Sequence, residues 1–391
     1  MKKKIIAIGL LCMMILGLSG FGAVAAEASP PESEGGVVRV SNWGLYMDQS
    51  IFEDFYREYG IRVIYSEFQS NEELYSILRL GGATFDVIFP SDYMIARMIE
   101  ENMLAELNFD NIPNFHLIDP RYKGLEFDPD NRFSVAYKVG TVVLIYNHTM
   151  VPFEVYSWGA LFDERLANQI LMFDNSRDAF AIALKYLGYC INTTNEDEIY
   201  AAFELLVQQR SILQAYVMDQ IFDKLESGEA AIGPYYAGDF LTMHANNPDL
   251  RFARPIEGTN YFVDAMVIPI NAENQRNGEL FINFVIRTDI ALRNMEYVWY
   301  ASANKEAAAL FAAQLDELAY SVIFADDETL ANADVFLHLP QHILELYDEL
   351  WIRLKADETN NLMVILFIAS AVVITAVVVV LVLRKKFRKY S

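Results

Sequence analysis

Val37-Val38-Arg39-Val40-Ser41 opens a run in which short apolar stretches and amphipathic stretches take turns. Ile51 to Tyr59 follows with apolar residues at helical spacing, then Arg62 to Tyr65 as a strand and Glu72 to Leu80 as a helix. Asp86 to Phe89 and Tyr93 to Glu101 form a third such pair. The alternation resumes with a strand at Ile170 to Phe173 and helices over Arg177 to Leu187 and Glu196 to Gln209. Ile212 to Val217, Asp219 to Leu225, Ala230 to Ile232 and a helix from Ala237 to Ala245 continue it. Strands that alternate with helices predict an α/β protein with mostly parallel sheets and helices on both faces. The globular stretch from Val37 to about Asp357 spans roughly 320 residues, above the size at which single cores divide in two.

Outward from this stretch the two ends read differently. Lys2, Lys3 and Lys4, the apolar run Ile5 to Leu18 and the small residues Ala23 to Ala26 predict a signal peptide over residues 1–26. Residues 27–36 read as a polar linker. At the other end, Leu362 to Leu383 holds no charge, Pro or Gly. A helix of that length crosses a hydrocarbon core of about 30 Å. The basic tail 384–391 follows at once, and positive charge stays on the cytoplasmic side. A single C-terminal transmembrane helix with the globular part outside is therefore expected, so the place of this protein would be the cell membrane.

The chain carries a net charge of −23. The basic residues of its two ends mask part of that, so the globular part is more acidic still. Such a surface repels nucleic acid and attracts cations. Cys190 is the one cysteine left after signal removal, which excludes an intramolecular disulfide and a cysteine metal site.

Ligands of open α/β sheets sit at the carboxyl ends of the strands. Here those loops carry Trp43 and Tyr46, Ser91 and Tyr93, Asp174 to Asp178, and Tyr235 and Tyr236. They are rich in rings and carboxylates and lack the lysines and glycines of a phosphate cradle. No residue pattern calls for a cofactor or a resident metal.

Five segments together resemble the spermidine/putrescine-binding protein family of ABC transporters. They are Ser41-Asn42-Trp43-Gly44-Leu45-Tyr46, Phe89-Pro90-Ser91-Asp92-Tyr93-Met94, Phe173 to Phe180, Leu187-Gly188-Tyr189 with Asn192-Thr193-Thr194, and Tyr261 to Pro269. The resemblance implies a two-lobed, periplasmic-binding-protein-like (type II) fold over 37–357. Lobe one would hold about 37–141 and 264–305, and lobe two about 142–263 and 306–357. It also implies no catalysis, delivery of a polyamine to an ABC permease driven by a cytoplasmic ATPase, and a ligand site at Trp43, Tyr46, Ser91, Tyr93, Asn175, Asp178, Tyr236, Phe262 and Asp264. Trp43, Tyr46 and Tyr93 would form one wall, with the Ser91 hydroxyl beside them, and Tyr236 and Phe262 the other. Asp264 and Asp178 would meet ammonium groups.

The residue types suit that chemistry. A polyamine needs carboxylates for its ammonium groups and aromatic faces for its methylenes and its charge. Asp264 in an apolar stretch must have a partner. Three departures from the family pattern stand out: Asn175 where a second carboxylate is frequent, Leu45 where an acidic residue is frequent, and Leu337 near a ligand-contacting Gln. They point to a less anionic site in which putrescine, or a related diamine, competes with spermidine. Two other readings stay open at this stage. Tyr235 and Tyr236 resemble the tyrosine pair of ferric-binding proteins, and carboxylates in a cleft also serve a surface hydrolase.

Overall fold

The computed structural model describes residues 35–356. The expected signal peptide (1–26), most of the linker (27–36), the expected span (362–383) and the basic tail (384–391) lie outside the described residues. Among the described residues no helix is long and apolar enough to cross a membrane.

The chain builds one continuous path of strands around a long spine, β4 (Ser134–Asn147). On one side, β1 (Val37–Trp43) pairs in parallel with β2 (Arg62–Phe68) and β3 (Val87–Ile88). Between them run α1 (Ile51–Tyr59) and α2 (Asn71–Arg79), and α3 (Asp92–Glu100) follows β3. On the other side, β5 (Ile170–Phe173) pairs in parallel with β6 (Leu213–Val217) and β7 (Ile232–Tyr236). These strands are linked by α4 (Ser176–Tyr186), α5 (Glu196–Gln209) and α6 (Gln220–Glu226), and α7 (Ala237–Asn246) follows β7.

The parallel pairing expected from the alternation holds on the two flanks, and the centre is antiparallel. Residues 134–141 of β4 pair with β9 (Tyr261–Val267), and residues 142–147 pair with β7 and β8 (Leu250–Ala253). The short β10 (Ala301–Ser302) joins the first half of β4. The spine is apolar and buried along nearly its whole length, on both faces, so it lacks the alternation that marks a half-exposed strand.

The helices form for local reasons. In α1, Ile51 and Phe55 recur at i, i+4 and are buried, and Gly60 ends the helix at φ 67°. In α2, the Ser70 hydroxyl accepts from the Glu73 amide while Glu73 reaches back to the Gln69 amide. Successive residues of β3 face opposite sides: Val87 lies in one core and Ile88 in another. A separate core belongs to β5, β6 and β7. The first helices after β9 are α8 (Gln275–Val285), α9 (Thr288–Val298) and α10 (Lys305–Ala312). Ala307 and Phe311 of α10 are buried with the β1 core. The packing thus returns to the second core later than residue 306, beginning near Val322, and the helix over 341–356 buries Ile343, Tyr347, Leu350 and Leu354 there.

Candidate functional site

The loops at the carboxyl ends of β1, β2, β3, β5, β6 and β7 converge on a cavity of about 870 Å³, counting the space open to solvent. All nine residues singled out from the sequence line it: Trp43, Tyr46, Ser91, Tyr93, Asn175, Asp178, Tyr236, Phe262 and Asp264. The first sheet supplies one wall and the second sheet the other.

On the first wall, the loop after β3 is zipped onto β9. Ser91 bridges to Asp264 and the Ala265 amide donates to the Pro90 carbonyl. Asp264 shares its strand face with Phe262, and its two oxygens are claimed separately. The Ser91 hydroxyl donates to Oδ1 at 2.7 Å and the Tyr46 hydroxyl to Oδ2 at 2.8 Å. Trp43 is oriented by its indole N–H, which donates to the Phe89 carbonyl at 2.8 Å, and its ring packs on Phe68. Phe262 lies across the spine because position 140 has no side chain. A Cβ on Gly140 would stand 2.6 Å from the Phe262 ring.

On the second wall, Asp178 occupies the first turn of α4. Asn175 caps that helix: its carbonyl accepts from the Asp178 amide at 2.9 Å, and its amide donates to Asp178 Oδ2 at 2.7 Å. The Tyr236 hydroxyl donates to the same oxygen at 3.1 Å. The rings of Tyr236 and Phe262, one from each wall, meet edge to face at 5.5 Å.

The cavity also holds groups that the sequence reading passed over. Glu72, Asp219 and Asp239 line it, as do Tyr300 and Phe336. Phe336 takes the place near Leu337, which is not among the lining residues. With these, every lining carboxylate has its own tyrosine. Beyond the two pairs above, Tyr93 donates to Glu72 at 2.9 Å, Tyr235 to Asp219 at 2.8 Å and Tyr300 to Asp239 at 2.7 Å. The expectation of a less anionic site therefore does not hold, because the charge absent at Asn175 and Leu45 is present at Glu72, Asp219 and Asp239. A signal for them existed: each follows the carboxyl end of a strand, β2, β6 and β7 respectively.

Among the described residues, no lysine, arginine or histidine lines the cavity. Arg177 stands behind the wall, its guanidinium over the rings of Tyr93 and Phe336. Burial therefore acts on the carboxylates with little compensation. It pushes Asp264 up to about 6 against the hydrogen bonds from Ser91 and Tyr46, and Asp178 up to about 6 against those from Asn175 and Tyr236. Asp239 rises to about 7, again mainly by burial, and Glu72 is raised. Burial and the neighbouring carboxylates hold the phenols of Tyr46, Tyr235, Tyr236 and Tyr300 well above the usual tyrosine range. The site presents anionic acceptors between aromatic faces and supplies no cation of its own.

The ferric reading finds no support in this geometry. Tyr235 and Tyr236 donate to two different carboxylates, and their environment opposes the phenolate that iron would need. Among the described residues no group of His, Cys, Asp and Glu could hold a metal ion.

Two α/β units sharing a spine, with a lined cavity where their loops meet, define a periplasmic-binding-protein-like solute-binding protein. Residues 50–330 match the family of bacterial extracellular solute-binding proteins, and the chain belongs to that family. It is 30% identical over 347 residues to the spermidine/putrescine-binding periplasmic protein of Salmonella typhimurium, covering 88% of this chain and 97% of that one. It is 28% identical over 321 residues to the putrescine-binding periplasmic protein PotF of Escherichia coli, covering 77% and 87%. The solved structure of the spermidine/putrescine ABC transporter substrate-binding protein PotD from Streptococcus pneumoniae superposes with a TM-score of 0.68 at 31% identity, over 82% of this chain and 98% of that one. These relatives are binding proteins of transporters and not enzymes, so the hydrolase reading falls away.

Proposed function

We propose that this chain is the extracytoplasmic substrate-binding subunit of an ABC importer for polyamines of the spermidine and putrescine class. The observation that carries the reading is the cavity itself: tyrosine-held carboxylates between aromatic walls, with no basic residue lining it among the described residues. A protonated amine at Asp264 and another at Asp178 would neutralise buried charge that nothing else in the lining pairs. Trp43, Tyr46, Tyr93, Tyr236 and Phe262 would hold the methylenes and attract the cations. Ser91 and Asn175 act through the carboxylates they hold.

In this reading lobe one comprises about 37–141 and 264–305, and lobe two about 142–263 and 306–357; the change of partners along β4 after residue 141 supports the first of these boundaries. The names of the relatives above support delivery to a permease with a cytoplasmic ATPase. The apolar run 362–383 would tether the binding domain beside that permease and raise its effective concentration there. Isothermal titration of the protein with spermidine, putrescine and cadaverine tests the cargo: tight binding of at least one is expected, and silence with all three removes it. Deleting residues 362–391 should move the protein from the membrane fraction to the soluble fraction with binding intact; a truncated protein still in membranes would refute the anchor.

A further inference from the structure

The mouth of the cavity contains a close approach between the two walls. Gly44 follows β1 on the first wall, and Asp219 follows β6 on the second. A Cβ on Gly44 would stand 2.7 Å from Asp219 Oδ2. Gly44 is not among the residues with positive φ, so its backbone does not require glycine. What the position requires is empty space. The carboxylate cannot swing clear at no cost, because the Tyr235 hydroxyl holds its other oxygen at 2.8 Å. Both residues line the cavity, and Gly44 and its neighbour Leu45 bring no charge to that side of the mouth.

We infer that Asp219 is a specificity-determining residue for a cationic nitrogen, delivered to the ligand by closure of the two walls and seated in the notch that Gly44 leaves open. This rests on the polyamine reading and deepens it. The notch lets the second wall come within van der Waals distance of the first-wall backbone. Closure then places a tyrosine-anchored carboxylate over the bound cation, at a point where the first wall has none. Asp219 is half-buried and Asp264 is buried, so Asp219 guards the entrance and Asp264 the floor. A linear triamine, with a third nitrogen beyond those met by Asp264 and Asp178, gains most from such a group.

The test uses the full-length protein in a non-ionic detergent, with spermidine and putrescine at pH 8. Asp219→Asn keeps the shape and removes the charge. It is expected to weaken spermidine binding at least tenfold, and putrescine binding less, with an unchanged melting temperature. Gly44→Val fills the notch and is expected to speed spermidine release at least tenfold in stopped-flow tryptophan fluorescence; Gly44→Ala, the milder variant, gives a smaller effect in the same direction. Because the two residues act at one contact, Gly44→Val with Asp219→Ala should be little worse than Asp219→Ala alone. Binding by Asp219→Asn within twofold of the unaltered protein for both ligands overturns the inference while leaving the polyamine reading intact. Independent, additive losses at the two positions overturn it also. An unaltered protein that binds neither amine overturns the polyamine reading and this inference with it.

Discussion

Asp264 of the first wall and the carboxylates of the second wall are held by different means. On the first wall, Asp264 sits on a central strand, buried, with a serine and a tyrosine hydroxyl fixed on its two oxygens. On the second wall, Asp178 stands in the first turn of α4, while Asp219 lies just before α6 and Asp239 in the first turn of α7. A strand in mid-sheet is immobilised by ladders on both sides, so Asp264 cannot move without breaking β9. A carboxylate at a helix start is favoured by the exposed amides and the helix dipole, and it is not part of a strand ladder. On the proposed function, the difference teaches a division of labour: a floor that would fix one end of a polyamine, and a more charged wall that would close on it. The link between the two is direct, since Tyr300 of the first wall donates to Asp239 of the second.

The sharpest way to break this comparison is at the floor. Asp264→Ala should cost roughly 2–5 kcal/mol of binding, the range for truncating one partner of a buried charge pair, which is from about 30-fold to several thousand-fold. Asp178→Ala should cost clearly less. Titration calorimetry that found the two losses equal would erase the distinction between floor and wall.

The pH dependence comes next and involves both walls. A bound cation favours ionised carboxylates, whereas burial holds Asp264 and Asp178 near 6 and Asp239 near 7. Affinity should therefore be full above about pH 8 and fall as pH drops through 7 and 6, by up to about tenfold per unit for each proton taken up. Stability of the empty protein runs the opposite way. These groups have folded pKa values raised above the unfolded value near 3.9, so their stabilisation is complete below about pH 4 and is lost as pH rises through 6 to 7. Melting curves should show the empty protein losing ground between pH 5 and pH 8 and the ligand restoring it at pH 8. A pH-independent affinity between 5 and 8 would contradict the assigned carboxylates.

Smaller effects separate the hydroxyls. Tyr236→Phe removes one donor to Asp178, which keeps Asn175, so a loss of about 0.5–1.5 kcal/mol, or roughly two- to tenfold, is expected. Tyr46→Phe, on the buried floor, should lie at or above the top of that range. The smallest effect on binding is expected on the spine. Lys138 is fully buried in β4, its amine has no hydrogen-bond partner among the described residues, and burial pushes it down to about 7. Lys138→Met should raise the melting temperature by a few degrees and leave affinity unchanged. A fall in stability would mean that the amine has a role in joining the walls.

Much of this protein is legible along the chain. The strand and helix periods of the flanks are local properties, and so Ile51–Tyr59, Ile170–Phe173 and Glu196–Gln209 occur as read. The site residues followed from the ends of those strands and from family resemblance, and they meet in one cavity because parallel strands deliver their carboxyl ends to one side. The spine was not legible: a strand buried on both faces has no alternation to reveal it, and its antiparallel pairing with β9 joins residues more than a hundred positions apart. Nor were Glu72, Asp219 and Asp239. Each looks like an ordinary acidic residue at a helix start, and the same local pattern serves both a solvated cap and a ligand group. Only packing placed them in the cavity, by bringing the two sheets' loops face to face, half-burying each carboxylate against a tyrosine hydroxyl, and leaving a gap at Gly44 into which Asp219 fits.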